Sequence, residues 1–492
     1  MIRVAQMAQT KAPRVEHAFP AFALVILLLS AFMDLADTTI VDIALPSLQH
    51  GLGATTSQAQ WTVDAYLLGL ALLTITGGRL GDIFGRKKLF LTGVACFTVA
   101  SALSGCAPTI HFLIASRLLQ GMSAAIMVPQ VLAFIQILFR PEERGTALGA
   151  YSAVLGLAAI AGPVLAGVLI TGNLFGLTWR PIFLVNVPIG IFTFIVGTRV
   201  LSESKSPDAL QVDGGGIVLA SAALLLLLYP LIEGRALGWP AWTYASIVGA
   251  LVVAALFVWY ESRRTRAGKS PLVSLSLFRF KSFTGGVIAA GALNVALNGF
   301  ILVFTFITQS GLHYNPLRTA LITLPFTITA AAVAALSVMK LAPRFGRKVV
   351  LVGLALFAAG LFVTERVLSG GAAGLNLWLL LPALFVVGCG MGLFVSPVID
   401  FALTRVPPRD AGSASGLYNM LQQVSSCIGV ALVGTLFFNQ LSKTSGYAGY
   451  AAGAQLALWV AVGILVVALP FVLLLPRFAH SHQPAEAENI TL

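Results

Sequence analysis

Apolar residues run through this chain in long unbroken stretches, not in the short alternations of a water-soluble fold. Fourteen stretches stand out, near 20–46, 57–78, 88–106, 109–138, 146–171, 181–200, 214–232, 243–260, 283–308, 316–340, 347–367, 375–399, 411–438 and 453–476. Crossing a bilayer takes ~20 residues at ~1.5 Å each, so the pattern predicts fourteen membrane-spanning helices. Polar positions inside them are exceptions that need a reason. The first stretch holds three, Asp34, Asp37 and Asp42, which at ~100° per residue share one broad face. A carboxylate at mid-membrane costs roughly 2.5 kcal/mol or more, so three on one helix point toward a cavity or other helices and away from lipid. The plainer alternative, a carboxylate bonded to the backbone of a neighbouring helix, suits one aspartate better than three.

Composition agrees with this pattern. Of 492 residues 58% are hydrophobic and 10% charged, with mean hydropathy +0.92, where a soluble chain carries about 25% charge. The four cysteines, Cys96, Cys106, Cys389 and Cys427, form no CxxC or His/Cys ligand cluster, so neither a disulfide framework nor a metal is expected. A net charge of +12 could indicate nucleic acid, but its distribution gives another answer. With the amino terminus inside, about 24 of the 30 Lys and Arg fall in the terminal segments and inner loops, against roughly five in the outer loops. The excess is an orientation signal placing both termini in the cytoplasm, and no nucleic-acid partner is expected. Arg3, Lys11 and Arg14 precede the first stretch without a small-residue cleavage site, so the first helix is expected to be retained.

Two segments repeat. Pro141-Glu-Glu-Arg-Gly-Thr-Ala-Leu-Gly-Ala-Tyr151 matches Pro408-Arg-Asp-Ala-Gly-Ser-Ala-Ser-Gly-Leu-Tyr418, and Phe84-Gly-Arg-Lys87 recurs as Phe345-Gly-Arg-Lys348. Nearly equal offsets indicate a duplicated half. The expected fold is an all-α membrane protein of two pseudo-symmetric six-helix bundles plus two inserted helices, the architecture of rocking transporters. Its parts would be a cytoplasmic amino terminus (1–19), a first bundle (20–205), the inserted pair (206–261), a basic cytoplasmic linker (262–282), a second bundle (283–476) and a cytoplasmic tail (477–492). The linker's basic charge and spaced apolar residues suit either a segment lying on the inner surface beside anionic lipid or an ordinary basic loop.

The loop after the second stretch reads Gly78-Arg-Leu-Gly-Asp-Ile-Phe-Gly-Arg-Lys-Lys88. Its glycines permit a tight turn, and Asp82 can cap the next helix and pair with basic groups across the gap. This resembles the cytoplasmic gate motif of the major facilitator superfamily at Gly78, Leu80, Asp82, Gly85, Arg86 and Lys87, with Ile83 where the family has a basic residue. The second copy has Pro343 in the aspartate's place. Arg117, about 12 Å into the fourth stretch, resembles the family's proton-linked arginine. At that depth it needs a carboxylate, and Asp34 or Asp37 is the expected partner. Gly156, Gly162, Pro163 and Gly167 look like the antiporter motif of the family's exporters; on physics alone they are a close-packing face with a bend. Asp37-Thr-Thr-Ile-Val-Asp-Ile-Ala-Leu-Pro46 and Trp179-Arg-Pro-Ile-Phe-Leu-Val-Asn-Val-Pro-Ile-Gly190 are similar to hallmarks of the fourteen-span drug:proton antiporter branch, departing at Asp34, Ala36 and Asp42. Asp64 is a further carboxylate where a neutral residue is expected.

The resemblance implies a proton-coupled exporter of lipophilic, cationic drugs or toxic compounds in the inner membrane. It would work as a monomer by alternating access, with no cofactor beyond the proton gradient. Asp34, Asp37, Asp42, Asp64 and Arg117 would carry the coupling, since crowded carboxylates away from water can exchange protons near neutral pH. Tyr66, Gln120, Asn294, Asn298, Tyr418 and Gln422 are candidate cavity-lining groups, although such residues also simply bond adjacent helices. A dedicated exporter of one natural product or organic acid, or an uptake carrier, is the competing reading. An ATP-driven pump would need a phosphate-binding loop, and an enzyme would need a catalytic pair; the chain offers neither.

Overall fold

The computed structural model describes residues 20–478, apart from 174–175, 206–212, 235, 270, 371–376, 408–410 and 445. The expected amino terminus (1–19), most of the tail, and the start of the repeat at Pro408 lie outside the described residues. Fourteen helices among the described residues are long and apolar enough to cross a membrane. Spans 1 to 6 are Phe22–Leu52, Thr56–Phe84, Arg86–Gly105, Ile110–Leu138, Glu143–Thr171 and Pro181–Val200. Spans 7 and 8 are Gly214–Glu233 and Ala241–Arg266. Spans 9 to 14 are Lys281–Gly311, Pro316–Phe345, Lys348–Ser369, Trp378–Leu403, Ala414–Leu441 and Tyr447–Val472. Several helices outrun their apolar stretches. Helical hydrogen bonds continue into polar surroundings, so hydropathy marks only the part of a helix that lies in hydrocarbon.

Each half packs through its own helices. Span 4 lies against spans 2 and 3, and span 1 against spans 5 and 6; span 9 lies against spans 13 and 14, and span 12 against spans 10 and 11. Small residues set the closest approaches. A methyl group added at Gly69 would come within 2.6 Å of the Leu118 carbonyl oxygen, and one at Gly388 within 2.4 Å of that of Phe326, so each glycine lets two helix backbones touch. The halves meet along two seams, span 2 against span 13 and span 5 against span 10.

The second seam is closed at one end only. Gly145, Gly149, Gly156 and Gly167 share a face of span 5 within about 40°. A methyl group at Gly167 would crowd Leu317 of span 10, and one at Gly156 would sit 3.6 Å from Ala331, but at Gly145 or Gly149 it would meet nothing within 4 Å. Spans 5 and 10 therefore diverge toward the face carrying the Gly78–Lys88 loop, called here the basic face. Bonds between the halves lie near the opposite face: Gln60 Nε2 to the Val430 oxygen (3.1 Å), Gln309 Nε2 to that of Ile43 (2.7 Å), and the Leu317 amide to Thr171 Oγ1 (3.3 Å).

The inserted pair packs on the first seam. Span 7 touches both span 2 and span 13, while span 8 packs on span 7. The last carbonyls of a helix have no partner within it. At the end of span 7, Ser57 of the first half donates to the Ile232 oxygen (3.2 Å), and Thr435 of the second donates to the Leu231 oxygen (2.6 Å).

Candidate functional site

The polar core of the first half is built around one ion pair. Asp37 of span 1 and Arg117 of span 4 are both 1% exposed, with Arg117 Nη1 2.5 Å from Asp37 Oδ2. The other carboxylate oxygen accepts from Gln120 Nε2 at 2.8 Å and from Asn186 Nδ2 at 2.7 Å. Arg117 also donates to Gln120 Oε1 (2.8 Å) and to the Thr62 carbonyl (3.2 Å). Ser101 of span 3 accepts from both Gln120 and Asn186 and donates to the Phe183 carbonyl at 2.9 Å. Five of the six spans thus contribute to one dry network. A buried ion pair persists only when its remaining lone pairs and protons are also bonded, and these neutral groups do that.

Asn186 and Ser101 were not among the sequence candidates. Asn186 comes from the Leu184-Val-Asn-Val-Pro188 stretch, where span 6 is interrupted at Val185, so that the amide enters the bundle at the end of a helix segment. Such an interruption beside a polar residue was the available signal.

Tyr66 links this network to a second carboxylate. Its ring lies 4.2 Å from the Arg117 guanidinium carbon, a cation–π contact, and its hydroxyl donates to Asp34 Oδ1 at 2.5 Å. Asp34 and Asp42 are partly exposed. Asp64 stands apart from both. It is fully buried, within electrostatic reach of Cys427 on span 13, and neither of its oxygens accepts a hydrogen bond from the described residues.

The sequence expected Tyr66, Gln120 and Tyr418 to line a cavity, and the structure corrects this. Tyr66 and Gln120 are 0% exposed and Tyr418 2%, because their polar atoms or rings are taken up inside their own bundles. Asn294, Asn298 and Gln422 are partly exposed and form a neutral network. Asn294 donates to Gln422 Oε1 (3.3 Å) and Asn298 to Ser426 Oγ (3.0 Å).

The gate loop differs from its expected form. Asp82 does not cap span 3 but pairs with Arg86, one turn on, at 2.8 Å. Gly85 turns the chain with φ +112°, a conformation side chains resist, and Lys87 Nζ reaches the Thr198 carbonyl at 2.7 Å. Gly78 packs beside Pro129 of span 4. In the antiporter-motif helix, Gly162 lies against Thr39 of span 1, while Gly156 and Gly167 face span 10; Pro163 falls between these two contacts.

The linker is also corrected. Leu272, Val273 and Leu277 are buried, so these apolar residues turn into the protein, while Phe278 stays exposed. A knot of charge holds it there: Asp213 pairs with Arg264 at 3.0 Å and accepts from the Leu272 amide at 3.2 Å. Glu261 accepts from the Val273 amide at 3.1 Å, and Arg79 of span 2 donates to the Pro271 carbonyl at 2.5 Å. The insertion, the linker and the edge of the gate loop are therefore tied together.

A profile of the Major Facilitator Superfamily matches residues 27–430. The chain belongs to the major facilitator superfamily. It is a multi-pass membrane transporter and not an enzyme, with the bilayer and a small-molecule substrate as its surroundings and cargo. It is 38% identical over 421 residues to a "Probable actinorhodin transporter" of Streptomyces coelicolor, covering 86% of this chain and 73% of that protein. It is 32% identical to the "Puromycin resistance protein pur8" of Streptomyces alboniger, with 91% and 89% covered. With the "Cephamycin export protein CmcT" of Amycolatopsis lactamdurans it shares 32% identity over 94% of both chains. Among solved structures, a peptide transporter of the POT type in complex with sulfate has the same fold, at TM-score 0.66 and 16% identity, covering 92% of this chain and 95% of that one.

Proposed function

We propose that this transporter exports a lipophilic, cationic small molecule across the inner membrane in exchange for protons, working as a monomer by alternating access with both termini in the cytoplasm. The observation that carries the reading is the division of labour among the carboxylates. Asp37 is locked in a dry ion pair, whereas Asp34 is partly exposed and joined to that pair through Tyr66. A proton or a cation arriving at Asp34 changes the charge that Tyr66 and Arg117 feel, which biases the pair. Asp42, also partly exposed, gives a second landing point nearer the opposite face, and Asp64 holds a carboxyl on the seam that must part when access alternates. Relatives named for exporting or resisting antibiotics support the outward direction. Each charge moved is worth ~2.3 kcal/mol per 100 mV, so several protons exchanged for one cation give ample drive.

The test is efflux of an ethidium-like dye from vesicles under an imposed proton gradient. Transport is expected to collapse when the gradient is dissipated and to fall about tenfold in Asp34→Asn, a change of ~1.4 kcal/mol in coupling. Gradient-independent efflux, or an unaltered Asp34→Asn, overturns the exchange. The relatives named for single antibiotics favour a second reading, a dedicated exporter of one natural product. That reading gains if the dye is ignored while a single antibiotic is moved.

A further inference from the structure

Each half contains the turn Phe-Gly-Arg-Lys, and the two turns share two features. Gly85 and Gly346 both have positive φ, +112° and +60°. The arginine that follows donates its amide to the chain returning from that half's last helix: Arg86 to the Ser204 oxygen at 2.9 Å, and Arg347 to the Arg477 oxygen at 3.0 Å. Glu203 and Pro476 therefore occupy equivalent places. In the first half the Glu203 carboxylate accepts from the Lys87 amide at 3.1 Å and the Lys88 amide at 3.2 Å. It seats an anion on the amino end of span 3, where unpaired N–H groups and the helix dipole favour one. Pro476 supplies no such group.

In the second half the Val349 amide, the counterpart of Lys88, is bonded to the Gly346 oxygen at 3.1 Å, and the turn is surrounded instead by positive charge. Lys281, Arg347, Arg405 and Arg477 line one cavity, with no acidic side chain among its described lining residues. Arg347 is fixed there by donating to the Leu473 oxygen at 2.6 Å and the Leu475 oxygen at 2.8 Å. Four like charges gathered with no acidic group among the described lining residues raise the local potential and attract an anion.

An apolar groove provides an independent second observation. It runs between spans 9 and 14 and is lined by Ile288, Ala292, Val295, Val467 and Phe471. Phe471 in the groove and Leu474 in the basic cavity are three residues apart on one chain, so the two spaces adjoin. Along span 9, Ile288 to Val295 lie about 10–21 Å from Lys281 at ~1.5 Å per residue. Measured from the headgroups, one leaflet is about 20–22 Å deep, so these residues fall at the depth of an acyl chain.

We propose that this is a binding site for an anionic phospholipid. The phosphate sits among Lys281, Arg347, Arg405 and Arg477, on the side of the turn where Glu203 lies in the first half, and an acyl chain lies along the groove between spans 9 and 14. A soluble phosphate would share the cations but not the groove.

The experiment is native mass spectrometry of the purified full-length protein with phosphatidylglycerol, phosphatidylcholine and inorganic phosphate as probes. Phosphatidylglycerol is expected to be retained about tenfold more than phosphatidylcholine, in line with the attraction of several basic groups for an anionic headgroup. Pro476→Glu, which installs the missing carboxylate, and the double substitution Lys281→Gln with Arg405→Gln are each expected to erase that preference, with thermal melting confirming a folded protein. Val467→Trp, which fills the groove, is expected to weaken phosphatidylglycerol retention and leave inorganic phosphate binding unchanged. Equal retention of the two lipids by the unaltered protein, or a preference that survives both Pro476→Glu and the double substitution in folded protein, overturns the proposal. Full displacement of the lipid by millimolar inorganic phosphate, together with an inert Val467→Trp, overturns the lipid assignment in favour of a soluble phosphate.

Discussion

The two halves treat one position differently. Asp37 on span 1 and Asn298 on span 9 stand 261 residues apart, the interval that also separates the two Phe-Gly-Arg-Lys turns. Asp37 is 1% exposed and held by Arg117, Gln120 and Asn186. Asn298 is partly exposed and held by Ser426 and by the carbonyl of Asn294 at 3.0 Å. A charge in the interior demands an opposite charge and full satisfaction of every lone pair, so its surroundings become closed and specific. An amide demands less, and it remains partly exposed. The same fold thereby supplies one half with a buried ion pair and one with neutral hydrogen-bonding groups.

Removing the carboxylate from the charged side is expected to have the largest effect. Asp37→Asn leaves Arg117 buried without a counter-charge, which costs about 3–5 kcal/mol. A lowered melting temperature in detergent and loss of efflux are the expected outcomes. Adding Arg117→Gln, which makes the first half neutral like the second, is expected to restore most of the stability but none of the transport. If Asp37→Asn melts like the unaltered protein, the contrast between the halves is not one of charge.

Asp64→Asn is expected to affect stability far less. Its carboxyl accepts no hydrogen bond from the described residues and is fully buried, so a neutral amide of the same shape is expected to change stability by no more than about 1 kcal/mol while slowing proton-driven efflux. Melting and vesicle transport measured side by side check it, and a loss of stability as large as that of Asp37→Asn removes the distinction between the two sites.

The smallest effect is expected on the neutral side. Asn298→Ala removes one ordinary hydrogen bond network member, worth about 1 kcal/mol, and is expected to lower efflux by a few-fold without altering its proton dependence. An efflux loss as complete as that of Asp37→Asn would show that the second half shares the coupling.

Much of this was legible in the amino-acid pattern. Fourteen apolar stretches could hardly be anything but helices, because a bilayer leaves backbone groups no other partners. A pairing for Arg117 followed from its depth, since an isolated guanidinium there is too costly. What was not legible depends on long-range folding. Glu203 caps a helix that begins 117 residues earlier in the chain, at Arg86, and nothing near it in sequence marks that role. Asp213 and Glu261 lie at the ends of two inserted helices, where a carboxylate reads as a solvated loop group until the linker folds over it. Tyr66 and Gln120 carry the polar atoms of cavity-lining residues, and only packing shows that those atoms turn inward.

The end of span 7 has a consequence for motion. Its two terminal carbonyls are gripped from opposite sides, Ile232 by Ser57 and Leu231 by Thr435. In the proposed alternating-access cycle spans 2 and 13 separate at that face, and the insertion could then stay with one of them only, so one grip would have to release. A single hydrogen bond of this kind nets about 1 kcal/mol, which thermal agitation breaks readily. Under the proposed alternating access, the extra pair of helices would let go of one half on each swing at little cost in free energy.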